Sequence, residues 1–246
     1  MLLLRVFFVF CLPSLLLAQG FNVFTQVFGL FTGILGTADF FKSAKPPTGS
    51  LRVSLKVPGG EDIGQSGQFP EISVRSNDGG QIGWFVNGDN CFTLLGKNDL
   101  KFVDIGISQE PDTVVLYHKG VYDVDSPIAL SMIKITYSSG TFEDDSYDVL
   151  VTGDMLASCV GASYWTTNEY PACNLSYDIP IGKGDFINSK QCFWMGNTNQ
   201  GVKQIWINTK EAHAALKAKD SFAFCKAIGV YKDENPNLIN DLRQTC

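Results

Sequence analysis

Leu51-Arg52-Val53-Ser54-Leu55-Lys56-Val57 is the stretch that decides the fold. Apolar Leu51, Val53, Leu55 and Val57 alternate with Arg52, Ser54 and Lys56. On an extended backbone that alternation makes one apolar face and one polar face, the pattern of a half-buried strand. Pro58-Gly59-Gly60 ends it. The same period continues downstream. Ile72 and Val74 start a second strand, Asn77-Asp78-Gly79-Gly80 turns the chain, and Ile82, Trp84 and Val86 return it as a hairpin. Asn87-Gly88-Asp89-Asn90 makes the next turn, followed by a strand over Cys91 to Leu95. Further strands are expected over Leu100 to Ile107, Thr113 to His118, Ala129 to Tyr137, Asp148 to Thr152, Ser163 to Thr167, Gln191 to Met195 and Gln204 to Ile207. Many short strands punctuated by Gly, Asn and Asp, without βαβ alternation, predict a mostly β fold. The expected architecture is an antiparallel β-sandwich or jelly-roll-like domain.

Upstream the period is helical. Met1 to Ala18 carries one charge, Arg5, then an apolar run to Leu17, with small residues at Ala18 and Gly20. That is the layout of a secretory signal peptide, cleaved after Ala18 or after Gly20. Phe24, Val27, Phe28, Phe31 and Leu35 follow at helical spacing and form one stripe of an N-terminal amphipathic helix. Residues 1–18 therefore read as signal, 19–42 as that helix, 43–50 as a linker containing Pro46-Pro47, and 51–246 as a disulfide-bonded β-rich domain. The helix docked on the β-domain is the favoured reading, because burying one Phe contributes roughly 1.5–3 kcal/mol. Membrane contact through Phe21 to Phe41, as an inserting segment or a transmembrane span, is the competing one. At the other end Thr209 is expected to cap a short C-terminal helix reaching about Lys219, with Ala212, Ala215 and Leu216 as its apolar stripe.

Of seven cysteines, Cys11 lies in the signal. Cys91, Cys159, Cys173, Cys192, Cys225 and Cys246 remain, an even number behind an export signal, which reads as three disulfides with fifteen pairings open. No C-x-x-C or paired His spacing exists, so neither a metal nor a cofactor is expected. Asn174-Leu175-Ser176 is an N-glycosylation sequon. The net charge is −6 and no Lys/Arg cluster stands out along the sequence, which argues against nucleic acid and anionic lipid headgroups as partners.

Ile135-Thr136-Tyr137-Ser138-Ser139-Gly140, Gly153-Asp154, Cys159, Tyr164-Trp165 and Cys192-Phe193-Trp194-Met195-Gly196-Asn197-Thr198-Asn199-Gln200-Gly201 occur in that order between Ile133 and Ile207. This third of the chain resembles a group of secreted, largely uncharacterised, cysteine-containing proteins of filamentous fungi, the effector-candidate type. Met195-Gly196 stands where that group carries an acidic residue. The resemblance implies a secreted fungal protein and brings no catalytic residues with it.

The chain holds two histidines, His118 at an expected strand end and His213 on the Thr209 helix as a solvated surface group. Neither has a serine elbow or a free thiol as companion in the sequence. Glu143-Asp144-Asp145 with Asp148, and Asp123 with Asp125, read as turn carboxylates before a glycosidase pair. With Asn87, Asp89 and Asn90 they fit no EF-hand loop. Trp84, Trp165, Trp194 and Trp206 read first as core. Tyr164 and Trp165 are adjacent and point to opposite faces of a strand, so Tyr164, Trp165 and Tyr170 form the candidate binding surface. The expected function is that of a secreted, non-enzymatic interaction protein, effector-like or toxin-like, contacting a protein or glycan at a host or cell surface. A lectin-like carbohydrate-binding module is the alternative, and a secreted hydrolase a more distant one. Thiol titration of the denatured, unreduced mature protein is expected to find no free sulfhydryl; two or more per chain would remove the three-disulfide framework.

Overall fold

A computed structural model describes residues 49–58, 67–86, 94–96, 99–118, 127–138, 146–160, 177–182, 185–189, 191–196 and 202–231. The signal, the Phe21 to Phe41 stripe and its linker to Thr48, Tyr164, Trp165, Tyr170, the Asn174 sequon, Cys91, Cys173 and Cys246 lie outside them. So do the 87–90, 123–125 and 143–145 groups.

The alternating segment becomes strand β1 (Ser50–Lys56), held on both sides by antiparallel partners, β6 (Leu100–Gly106) and β9 (Met132–Ser138). Val53 stands opposite Val103 on one side and Ile135 on the other. Strand β10 (Tyr147–Thr152) pairs with β9 and completes a four-stranded sheet of order β10-β9-β1-β6. A second sheet has five antiparallel strands, β3 (Glu71–Arg75), β4 (Gln81–Phe85), β7 (Thr113–Tyr117), β14 (Gln204–Asn208) and β15 (Ile228–Tyr231). Their order is β15-β14-β7-β3-β4. Three two-stranded ladders accompany them: β2 (Gly67–Gln68) with β5 (Leu94–Leu95), β8 (Ile128–Leu130) with β13 (Phe193–Met195), and β11 (Tyr177–Gly182) with β12 (Asp185–Ser189). The fold is therefore mostly β, built from antiparallel sheets, with helices α1 (Gly153–Val160), α2 (Thr209–Ala218) and α3 (Ser221–Lys226) among the described residues.

Both larger sheets feed one apolar cluster. Leu51, Val53 and Leu55 of β1 share it with Ile72 and Val74 of β3, Leu116 of β7 and Ile205 of β14; Leu156 of α1 and Phe224 of α3 join them. Gly83 marks where β4 presses on β6, since a Cβ there would stand 2.7 Å from the Gly106 carbonyl oxygen and 2.9 Å from Ile105 Cγ2. Only glycine lets the two backbones come so close. Tyr147, at the start of β10, makes a second tie between the sheets. Its hydroxyl lies 2.8 Å from Thr209 Oγ1 and donates to the Pro111 carbonyl at 3.2 Å, at the ends of β14 and β7.

Several details depart from the sequence reading. The β3–β4 hairpin forms around Gly79, whose φ is 82°, with Gly80 N donating 3.1 Å to Asp78 Oδ1. Hydrogen bonds from Ser76 and then from the Gly80 amide hold the Asp78 carboxyl below its ordinary pKa. A register shift between Val74 and Arg75 then resets the phase of β4. Gly83 and Phe85, not Trp84, stand opposite Val74 and Ile72, and Trp84 faces Ser73 on the other side. The single strand expected over Ala129 to Tyr137 breaks at Ser131, because its amide (2.9 Å) and hydroxyl (3.1 Å) both donate to the Lys56 carbonyl. That bend sends β8 to β13. The sequence reading missed α1, α3, β2, β11, β12 and β15. It also misplaced the cap of α2: Asn208 accepts from Glu211 N, while Thr209 Oγ1 donates to the Asp112 carbonyl at 3.0 Å.

A disulfide joins Cys159 at the end of α1 to Cys225 in α3 across 66 residues of sequence. Closing a loop of that size contributes about 4 kcal/mol in the chain-entropy account. Cys192 is also disulfide-bonded, to a partner outside the described residues.

Burial raises the Tyr147 pKa well above its ordinary value of 10.0, against a smaller lowering from the Thr209 hydrogen bond. In the unfolded chain this hydroxyl ionises near pH 10, about its free value, while in the folded protein it keeps its proton to higher pH. The stability it contributes is therefore complete below about pH 10 and is lost as pH rises beyond it. Tyr147→Phe is expected to cost about 1 kcal/mol at neutral pH, for the lost hydrogen bonds, and to flatten the alkaline fall in stability. Urea unfolding at neutral and alkaline pH measures both.

Candidate functional site

The five-stranded sheet has two unlike faces. Ile72, Val74, Val114, Leu116, Ile205 and Ile207 line the core side. Ladder pairing sets the opposite side: Trp84 beside Ser73, Ser73 beside Val115, Val115 beside Trp206, and Glu71 beside Tyr117, Tyr117 beside Gln204, Gln204 beside Tyr231. Strand alternation adds Arg75 to the same side. The result is a face of polar side chains set among Trp84, Tyr117, Trp206 and Tyr231.

Each strand contributes through simple alternation. Glu71-Ile72-Ser73-Val74-Arg75 sends its three polar residues one way and its apolar pair the other. Gln204-Ile205-Trp206-Ile207-Asn208 sends Gln204, Trp206 and Asn208 one way and its two isoleucines the other. Gly229 then makes room for an indole, for a Cβ there would lie 1.5 Å from Trp206 Nε1. Trp206 lies over that glycine and donates from Nε1 to the Tyr231 hydroxyl at 3.0 Å.

The polar groups are held away from water. Gln204 and Ser73 are wholly buried, and Glu71 is only 3% exposed. Among the described residues, neither amide atom of Gln204 nor Ser73 Oγ has a hydrogen-bond partner. A buried polar group left unsatisfied costs roughly 1–3 kcal/mol, so this face spends stability on polarity that an apolar strand would not. Glu71, Arg75, Trp84, Tyr117 and Lys203 are engaged in further interactions. Trp84, Trp206 and Tyr231 are half-buried.

The two histidines lie elsewhere and apart in role. His118 follows β7 directly, 1% exposed, with its amide donating to the Lys203 carbonyl at 2.9 Å. It is engaged in further interactions. His213 on α2 is not the solvated surface group that the sequence suggested. Its ring packs 5.3 Å from that of Tyr147, and Nδ1 donates to the Asp148 carbonyl at 2.9 Å. Because β10 is an edge strand, that bond occupies an edge carbonyl and fixes α2 along the edge. Asp148 itself pairs with Lys134 at 3.2 Å.

On the four-stranded sheet, Arg52 makes a two-pronged pair with Asp104, 2.7 Å on each arm, and its guanidinium stacks 4.0 Å from the Phe102 ring centre. This geometry holds a structural ion pair in place. Among the described residues no three His, Cys, Asp or Glu side chains gather to hold a metal ion.

Of the tryptophans, Trp194 is buried, whereas Trp84 and Trp206 belong to the polar face and not to the core. The candidate set Tyr164, Trp165 and Tyr170 lies outside the described residues. Gln204, Ser73 and Glu71 were missed by the sequence reading. The signal available was a polar residue recurring at every second position of an otherwise apolar strand. Comparison with protein-family models, with curated proteins and with solved structures finds no match to this chain.

Gln204→Met keeps the side-chain length and removes the unsatisfied amide. It is expected to stabilise the protein by about 1 kcal/mol, read as a higher urea midpoint. A loss of stability of that size would show that the amide is satisfied in solution.

Proposed function

We propose that this chain is an exported, disulfide-bonded binding protein, effector-like or toxin-like, that acts at a host or cell surface by binding and not by catalysis. The observation that carries this reading is the polar-aromatic face of the five-stranded sheet. Unsatisfied Gln204 and Ser73 share a face with half-buried Trp84, Trp206 and Tyr231. Such a face is costly as packing and useful as a recognition surface. The Cys159–Cys225 bond is compatible with an extracellular site of action. The same proposal includes a fungal origin of the kind the sequence resemblance implies, glycosylation at Asn174, and stacking of the two larger sheets as a β-sandwich around their common core.

A carbohydrate ligand is the second reading, favoured by the placement of Trp84, Trp206 and Tyr231 on one face. Sugar rings present apolar C–H faces to aromatic rings and hydroxyls to amides, and this surface has both partners. Retention of the mature protein on insoluble polysaccharides and on intact cells separates the two. Trp84→Ala is expected to lower retention about tenfold wherever the face is used, since one stacked ring contributes roughly 1 kcal/mol or more. Cell binding with no polysaccharide retention favours a protein partner. Cell binding untouched by Trp84→Ala removes this face as the recognition surface.

A further inference from the structure

Exposed large apolar side chains are few among the described residues: Phe222 is 70% exposed and Val160 40%. The Cys159–Cys225 bond brings their helices together. Val160 adjoins Cys159, and Phe222 precedes Cys225 by three positions, which is the same side of a helix. The disulfide therefore joins, at one corner, the two helices that carry these side chains.

That corner is also basic. Lys217, Lys219 and Lys226 are all exposed, and Lys226 Nζ stands 4.4 Å from the Phe222 ring centre. Lys219 closes α2 in the left-handed conformation at φ 55°, its amide directed at the Ala215 and Leu216 carbonyls. The nearest carboxylate in sequence, Asp220, accepts from the Phe222 and Ala223 amides as the cap of α3. Lys210 is paired with Glu110 at 2.7 Å and stands outside the set. In a chain of net charge −6, three exposed lysines on α2, its cap and α3, one of them over the Phe222 ring, form a local reversal of sign.

We propose that this α2–α3 corner docks on the surface of an anionic phospholipid bilayer. Phe222 and Val160 enter the boundary between headgroups and acyl chains, and Lys217, Lys219 and Lys226 meet the lipid phosphates. Charge complementarity selects this occupant. An apolar pocket of a partner protein that took the Phe222 ring would strip water from the Lys226 ammonium above it, a costly transfer. At a bilayer interface the ring sinks while the ammonium stays hydrated among phosphates. The Cys159–Cys225 bond cross-links the corner, which is separate in sequence from the Phe21 to Phe41 segment.

The test is flotation of the full mature protein with vesicles of phosphatidylcholine alone or mixed with phosphatidylserine, at low and high salt. The wild type is expected to float with the phosphatidylserine vesicles only, and less at high salt. Phe222→Ser is expected to weaken partitioning about tenfold. A triple variant, Lys217→Gln, Lys219→Gln and Lys226→Gln, is expected to lose about a hundredfold and with it the anionic preference. Both variants change exposed side chains, so melting temperatures should match the wild type. The Phe21 to Phe41 segment is intact in both, so binding that survives both variants belongs to that segment and overturns the proposal. Failure of the wild type to float, or equal binding to both vesicle types, overturns it as well.

Discussion

Complete exclusion of water from Leu51, Val53 and Leu55 is the constraint on which the rest of the structure depends. β1 lies inside its sheet, so its backbone groups are paired on both sides and its apolar side chains must find apolar cover elsewhere in the fold. That cover comes from β3, β7 and β14 of the five-stranded sheet, with Leu156 and Phe224 closing the cluster from the helices. Each buried aliphatic side chain contributes roughly 1.5–3 kcal/mol. Gly83 allows a close approach of β4 to β6, and Tyr147 on β10 makes a further tie through Thr209 and Pro111. The core works because both sheets obey the same period of two.

The outer face of the five-stranded sheet obeys that period and uses it differently. Glu71, Ser73, Arg75 and Gln204 on this face are removed from water almost as thoroughly as the core. Polar groups in such a place cost stability unless each is paired, and Gln204 and Ser73 are unpaired among the described residues. A purely structural account would favour valine or threonine at those positions. The aromatic set around Gln204 gives the face a chemical character suited to recognition, and that is why the proposed binding surface is placed there.

The helices have a separate job. α2 runs beside the edge strand β10, with His213 occupying the Asp148 carbonyl, so that edge offers fewer free groups to another chain. The disulfide then ties α1 to α3 and fixes the corner bearing Phe222. The −6 balance of the whole chain conceals this corner, where Lys217 near the end of α2, Lys219 at its cap and Lys226 over the Phe222 ring are all exposed.

The alternation of β1, the turn chemistry of Asn77 to Gly80 and the positions of β3 and β14 were legible in the sequence because side-chain direction along a strand depends only on the strand itself. The β-rich class followed from them. The helix α1 was not legible, since Gly153 opens it and its eight residues carry too short a pattern to separate from a strand. Nor was the phase of β4, where one register shift at Arg75 moved Trp84 out of the core reading and onto the polar face. His213 was assigned to solvent because nothing in α2 announces that β10 lies beside it. The sequence by itself determined which residues share a face within a strand. Tertiary structure decided which strands are neighbours, and so which faces meet, because pairing and disulfide closure join segments far apart in the chain and no local pattern encodes that choice.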